Sequence, residues 1–387
     1  MKFKRYAAAI CAVACLAAAS GCAQPTYYIY TNISDGGYEI SDKAYTVGGV
    51  IDGCTVTTPQ EEELKMAGYT SRQKLYFSML ADAALVVSTD FSTDAARSKF
   101  DEFTAEVGNL LIAIDKALST TVADSDVNKF NKASAGQTVE LREISFEVFS
   151  EAKAVYEITE GYYNPALYYN IFAYGFGGAT KRPLSESELP SDEVIAKYTD
   201  LSTHFGEIEL KEEDGRYFVT KPEYTVEVDG EALSLKLDLG GIGKGYAVDK
   251  VDELFDKYGY EYGYFNFGSS SMLVKSNVLN GAYNISFGGP RSPSRDPYVK
   301  THVRNEKIST SGDNEQFYRI GNKRYCHIID PTTGKPVQTG IAAVTVIGGS
   351  AASADAITTA VMAMGRERAV KFIEEELTGR RVIFACE

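Results

Sequence analysis

Residues 237–251, LDLGGIGKGYAVDKV, set Gly240, Gly241, Gly243, Lys244 and Gly245 between two apolar patterns. Upstream, Leu233, Leu235, Leu237 and Leu239 alternate with the period of a half-buried strand. Downstream, Val248, Val251, Leu254, Phe255 and Tyr258 recur at helical spacing. The pattern predicts a strand that hands over to a helix, with the glycines at the handover. The first N–H groups of a helix are unpaired and partly positive, the glycines let a ligand approach the backbone, and Lys244 adds a full charge. That is the chemistry of an anion site, most often a phosphate site. It is not a Walker A loop, because Leu239 and Gly245 stand where Gly and Ser or Thr are required. It does not read G-x-G-x-x-G in a dinucleotide-binding frame either. The stretch also fits a tight turn with an exposed lysine.

In SAASADAITTAVMAMG (350–365), Asp355 and Thr359 are four apart and share a helical face. A carboxylate and a hydroxyl suit Mg²⁺ when waters, phosphates or carbonyls complete the shell. Their ordinary structural reading is an acid favouring a helix N-terminus and a threonine bonded back to a carbonyl. Residues 308–337, ISTSGDNEQFYRIGNKRYCHIIDPTTGKPV, are rich in turn formers. There His327 and Asp330 offer acid–base chemistry or polar ligand contacts, although a lone histidine also fits a half-buried structural place.

The elements that must position these groups are mixed. Residues 95–118 predict a helix with Phe100, Phe103, Val107, Leu110, Leu111, Ile114 and Leu118 on one face. Further helices are expected at 143–160, 247–258 and 354–375. KLYFSMLADAALVVST reads as a strand pair or one bent strand, and hairpins turn at Asp214-Gly215 and Asp229-Gly230. YGYFNFG, YNISFGG, AAVTVIGG and RRVIFAC read as more strands. Hairpins interleaved with helices predict an α+β fold rather than a doubly wound sheet.

The chain of 387 residues is 44% hydrophobic, ample for a sizeable core. MKFKR followed by about 15 apolar residues and Gly21-Cys22 reads as an export signal, shorter than a membrane span. ASGC resembles a bacterial lipobox, which makes residues 1–21 a signal peptide and Cys22 a lipidated first residue. The expected location is the extracytoplasmic side of the cell membrane, on a lipid anchor. Residues 22–68 are expected to be a tether, and 69–387 the globular domain. Losing Lys2, Lys4 and Arg5 takes the net charge from −14 to −17, which opposes binding to nucleic acid or anionic membrane surfaces. Cys54, Cys326 and Cys386 make no disulfide framework, and with His204, His302 and His327 they give no zinc-ligand spacing.

Six stretches in this order resemble the bacterial FAD:protein FMN transferases, the ApbE family. SDVNKFNKA (125–133) is similar to the family's S-x-[IV]-x-x-[FL]-N. YYNPALYYNIFAYGFG is similar to F-[DN]-P…L-W-G-F-G, with Tyr174 at the usual tryptophan. DLGGIGKGYAVD resembles D-L-G-G-[IA]-A-K-G-Y-[AI]-[VA]-D. STSGDNEQFY, HIIDPTTGKP and ADAITTA resemble T-S-G-D-Y-E-R, H-I-[IL]-D-P-x-T-G and A-D-A-L-[AS]-T-A. The resemblance spans about 75–387.

It implies a monomeric, T-fold-like α+β protein that binds FAD and Mg²⁺. Such an enzyme transfers FMN through its phosphate to a Thr or Ser hydroxyl of an exported FMN-binding protein and releases AMP. It implies metal ligands at Asp355, Thr359 and the Gly243 carbonyl, with Asp238 ordering the loop or the ligands. Lys244, His327 and Asp313 are the implied catalytic groups, His327 the first choice of base. Cofactor contacts fall on Met79, Asn131, Tyr174, Gly240, Gly241, Lys244, Ser311, Gly312, Asp313, His327 and Asp330, with Phe176 beside them. The family's M-G-T appears here as Met79-Leu80-Ala81, a departure on the flavin side. Two alternatives stand beside the transferase: an FAD pyrophosphatase giving FMN and AMP, and a flavin-binding lipoprotein without turnover.

Overall fold

The computed structural model describes residues 26–33, 37–40, 55–57, 66–76, 79–88, 93–178, 182–268, 270–276, 283–288, 290, 297–314 and 316–386. Among them, nine strands form one sheet in which every neighbouring pair runs antiparallel. In spatial order they are Gly37–Ile40, Thr26–Ile33, Arg381–Cys386, Ile341–Ile347, Glu306–Gly312, Ser271–Ser276, Tyr262–Phe267, Met79–Ser88 and Met66–Tyr76. The central strands are buried on both faces. Phe265, Phe267, Leu273, Val344 and Val346 face the helices. Met272, Val274, Ile308 and Ile347 face a smaller sheet of Thr55–Thr57, Tyr283–Gly288 and Pro297–Val303. Burial on both sides is why these strands read as near-continuous apolar runs.

The helix Asp94–Leu118 buries Phe103, Val107, Leu111, Ile114 and Leu118, spaced three and four apart, and Thr93 caps it by accepting from Ala96 N at 3.2 Å. Glu143–Ile158 lies in the same layer. Two helices then build the centre: a glycine helix, Gly240–Lys257, and an aspartate helix, Ala351–Met364. The aspartate helix is Ala-rich and buried nearly all round, as a thin helix between a sheet and other helices must be. No helix among the described residues is long and apolar enough to cross a membrane. Cys326 and Cys386 are free and buried.

The α+β class, both hairpins and all four late strands stand where the sequence put them. Four expectations need correction. The helix expected over 354–375 is two helices, broken at Gly365, whose φ of 70° a helix cannot continue through. The leucine-rich strand pairs only over Glu231–Ser234; Leu235, Leu237 and Leu239 are buried without a ladder. The glycines expected in a turn form the first turns of the helix itself. Finally, 22–68 is not a tether throughout. Thr26–Ile33 pairs with Arg381–Cys386 at the sheet edge, Thr55–Thr57 joins the smaller sheet, and the strand Met66–Tyr76 straddles the expected boundary. An open strand edge supplies backbone partners to a Tyr-rich segment of weak periodicity. The signal segment and Cys22 lie outside the described residues.

Candidate active site

Backbone contact between the glycine and aspartate helices creates the site. A Cβ on Gly245 would lie 2.0 Å from the Ala351 carbonyl oxygen, so only glycine lets the helices approach this closely. The approach brings Asp355 within reach of the partner helix, where its Oδ2 accepts from Gly245 N at 3.1 Å. Lys244 Nζ donates to the Gly240 carbonyl at 3.0 Å and lies 3.8 Å from Asp355 Oδ2. On the incoming segment, Asp238 accepts from Gly240 N at 2.8 Å, and its own N–H donates to Pro165 O at 2.9 Å. Thr359 follows Asp355 by one turn. Its hydroxyl has only long contacts, 3.5 Å to Asp355 O and 3.3 Å to Ser311 Oγ.

These groups line one cleft that is partly open to solvent. Burial pushes the carboxyls of both Asp238 and Asp355 above the usual range, only partly opposed by Lys244 and by backbone N–H groups. On the same cleft, burial and then the Lys244 charge pull His327 down to about 4, so its imidazole is neutral at physiological pH. Its Nδ1 is buried without a hydrogen-bond partner, as are Tyr163 Oη and Ser270 Oγ, both on residues of the cleft wall. Such orphaned polar atoms in one cavity are the mark of a site built for a polar ligand. Behind His327, the buried Phe176 ring stands 6.4 Å away, edge to face.

Of the sequence-predicted residues, Gly240, Gly241, Lys244, Ser311, Gly312, His327, Asp355 and Thr359 line this cleft. Five do not line it. Asn131 is buried and bonds both backbone groups of Leu237. Tyr174 packs against Tyr325 in a separate aromatic cluster. Asp313 is held by Arg324, whose Nη1 lies 3.1 Å from its carbonyl and 3.8 Å from its carboxylate. Asp330 caps the turn that follows, accepting from Thr332 N and Oγ1 at 2.8 and 2.7 Å. Gly243 is buried within the glycine helix. Met79 opens its strand opposite Tyr76, and its side chain lies outside the described residues.

Sequence reasoning missed Tyr163, Ser270, Thr310 and Gln316, all on the cleft wall. Tyr163 stands two residues before Pro165 within YYNPALYYNIFAYGFG, and its place in that segment was the available signal. No group of three or more His, Cys, Asp or Glu side chains assembles among the described residues. A metal here would therefore rest on a mixed set of oxygen donors. Asp355 and Asp238, two desolvated carboxyls facing one lysine, fit a divalent cation.

Comparison with known proteins agrees with this arrangement. Residues 82–384 match the ApbE family. An FAD:protein FMN transferase of Vibrio cholerae is 27% identical over 274 residues, 70% of this chain and 75% of that protein. One from Buchnera aphidicola is 28% identical over 255 residues, 66% and 71% of the two chains. The solved structure of the flavin transferase ApbE from Vibrio cholerae superposes with a TM-score of 0.64 at 24% identity, covering 84% of this chain and 98% of that one. At that identity the superposition speaks for the fold.

Proposed function

The chain belongs to the ApbE family, and from that premise we propose that it is an FAD:protein FMN transferase. The hydroxyl oxygen of a Thr or Ser on an exported acceptor protein attacks the flavin-side phosphorus of FAD. The bond from that phosphorus to the bridging oxygen breaks, AMP leaves, and FMN remains on the acceptor through a phosphoester. The observation that carries this reading is the convergence on one cleft of Asp238, Lys244, Asp355 and a neutral His327.

Each chain residue then has a task. Lys244 and the positive N-terminal end of the glycine-helix dipole stabilise the pyrophosphate oxygens, where negative charge gathers as the bond breaks. His327 has a free lone pair at neutral pH and takes the hydroxyl proton. Tyr163 and Ser270 offer unpaired polar groups to hold the ligand. Asp355, Thr359 and a carbonyl at the cleft end of the glycine helix would hold Mg²⁺, which supplies charge neutralisation on the phosphoryl oxygens. The N-terminal signal and Cys22 support export and a lipid anchor, with a monomer acting at the membrane's outer side.

The test is to incubate the chain with FAD, Mg²⁺ and an exported FMN-binding protein, then weigh the acceptor by intact-mass spectrometry. A metal-dependent gain of one FMN, with AMP released in equal amount, is expected. AMP and FMN with an unmodified acceptor would replace the transferase by a pyrophosphatase. Intact FAD would leave a flavin-binding protein.

A further inference from the structure

Asp249 ends the glycine-helix motif and does not line the cleft, yet it is among the most heavily engaged carboxylates of the molecule. Its Oδ1 accepts from Ala351 N at 2.9 Å, and its Oδ2 accepts from Ala352 N and Ser350 Oγ, each at 2.9 Å. Lys307, from the central strand Glu306–Gly312, holds it at 2.7 Å. Ser350 covers the next N–H, that of Ser353, at 3.2 Å. Every N–H of the aspartate helix's first turn thus has a partner, and two of the three are supplied by the glycine helix. One turn further on, the direction reverses: Asp355, on the aspartate helix, accepts from Gly245 N on the glycine helix.

We propose that Asp249 is a positioning residue for the metal half of the site. The two helices exchange carboxylates, Asp249 capping one and Asp355 reaching back to the other. This reciprocal clamp sets the register between Asp355 and Thr359 on one helix and the carbonyl donor on the other. A divalent cation reads that register directly, because its donors come from both helices. Without Asp249, two buried N–H groups lose their acceptor and Lys307 loses a counter-charge. The aspartate helix can then slide by a fraction of an ångström with no change in any residue that touches a ligand. This inference rests on the metal assignment proposed above.

The experiment is direct Mn²⁺ binding to the full chain, read as free Mn²⁺ by electron paramagnetic resonance without FAD or turnover. Wild type is compared with Asp249→Ala, Asp249→Asn, Asp355→Ala and Val303→Ala. Val303 is buried on the far face of the sheet, so its truncation lowers stability away from the clamp. Asp249→Ala is expected to weaken Mn²⁺ binding by roughly 10–100-fold, the usual effect of losing a partner that orients a metal ligand. Asp249→Asn, which keeps one acceptor oxygen, should fall between. Val303→Ala should bind as wild type despite a lower melting temperature. The proposal is overturned if folded Asp249→Ala binds Mn²⁺ like wild type, or if Val303→Ala weakens binding equally. If Asp355→Ala leaves binding intact, the metal assignment itself fails and takes this inference with it.

Discussion

The Asn131 side chain donates to the Leu237 carbonyl at 2.9 Å and accepts the Leu237 N–H at 2.7 Å, replacing a neighbouring strand with one amide. The segment it holds leads directly into Asp238 and the glycine helix. Asn131→Ala would strand two buried backbone groups at about 1–3 kcal/mol each. The expected result is about 2–6 kcal/mol lost in urea unfolding, with turnover reduced through displacement of Asp238. A loss below about 0.5 kcal/mol would mean that Leu237 has other partners.

Gly241 and Gly245 sit one turn apart in the same helix and should respond in opposite ways. A Cβ at Gly245 meets the Ala351 carbonyl at 2.0 Å, backbone against backbone, so Gly245→Ala must push the helices apart. It should cost at least about 3 kcal/mol and yield little soluble protein. At Gly241 the nearest atoms are Thr359 Oγ1 at 3.6 Å and the Tyr163 ring at 3.7 Å. Gly241→Ala should therefore fold at least as well as wild type, by about 0.5–1 kcal/mol of helix propensity. Its methyl would stand on the cleft wall, and activity should fall. Thermal melts alongside AMP release separate the two cases.

The same contrast explains what could be read from the sequence. Lys244, Asp355, Thr359 and His327 drew attention through turn chemistry, helical spacing and residue type, whereas Ser311 and Gly312 entered the site only through the family resemblance. Asn131, Tyr174, Asp313 and Asp330 have equally plausible residue types, but the fold uses them internally: a backbone clamp, an aromatic contact, an ion pair and a turn cap. A polar side chain looks the same in sequence whether its partner is a ligand or the chain itself. Tyr163 illustrates the converse: its hydroxyl is buried without a partner, as are those of Tyr260, Tyr283 and Tyr318, and only the fold sets it on the cleft wall. The strand Thr26–Ile33 was invisible because its stability comes from an edge more than 350 residues away.

Asp355 carries the metal prediction. Its carboxyl is desolvated, with one backbone N–H and Lys244 near it, so an alanine there removes the principal negative charge offered to a cation. Asp355→Ala should lower metal-dependent AMP release by roughly 10²–10³-fold, the scale seen when a transition-state stabilising group is lost. Chelation of wild type with EDTA should give a comparable fall, restored by Mg²⁺ in excess. Wild-type rates from Asp355→Ala in Mg²⁺ would refute the assignment.

His327 makes a prediction about pH whose sign follows from its burial. Its folded value of about 4 lies below the ordinary 6.5 of an unfolded chain. Between those values the unfolded state binds a proton that the folded state refuses. The contribution to stability is therefore fully present above about pH 6.5, declines as pH falls towards 4, and is flat below. Urea midpoints for wild type and His327→Gln should run parallel above that window and converge within it, wild type falling faster. In catalysis the imidazole stays neutral across pH 5–9, so kcat/KM should show no inflection near 6.5 arising from this residue. His327→Gln should nevertheless lower kcat by roughly 10²–10⁴-fold if the ring accepts the hydroxyl proton. A histidine resonance assigned to His327 that titrates near 6.5 would remove the basis for both expectations.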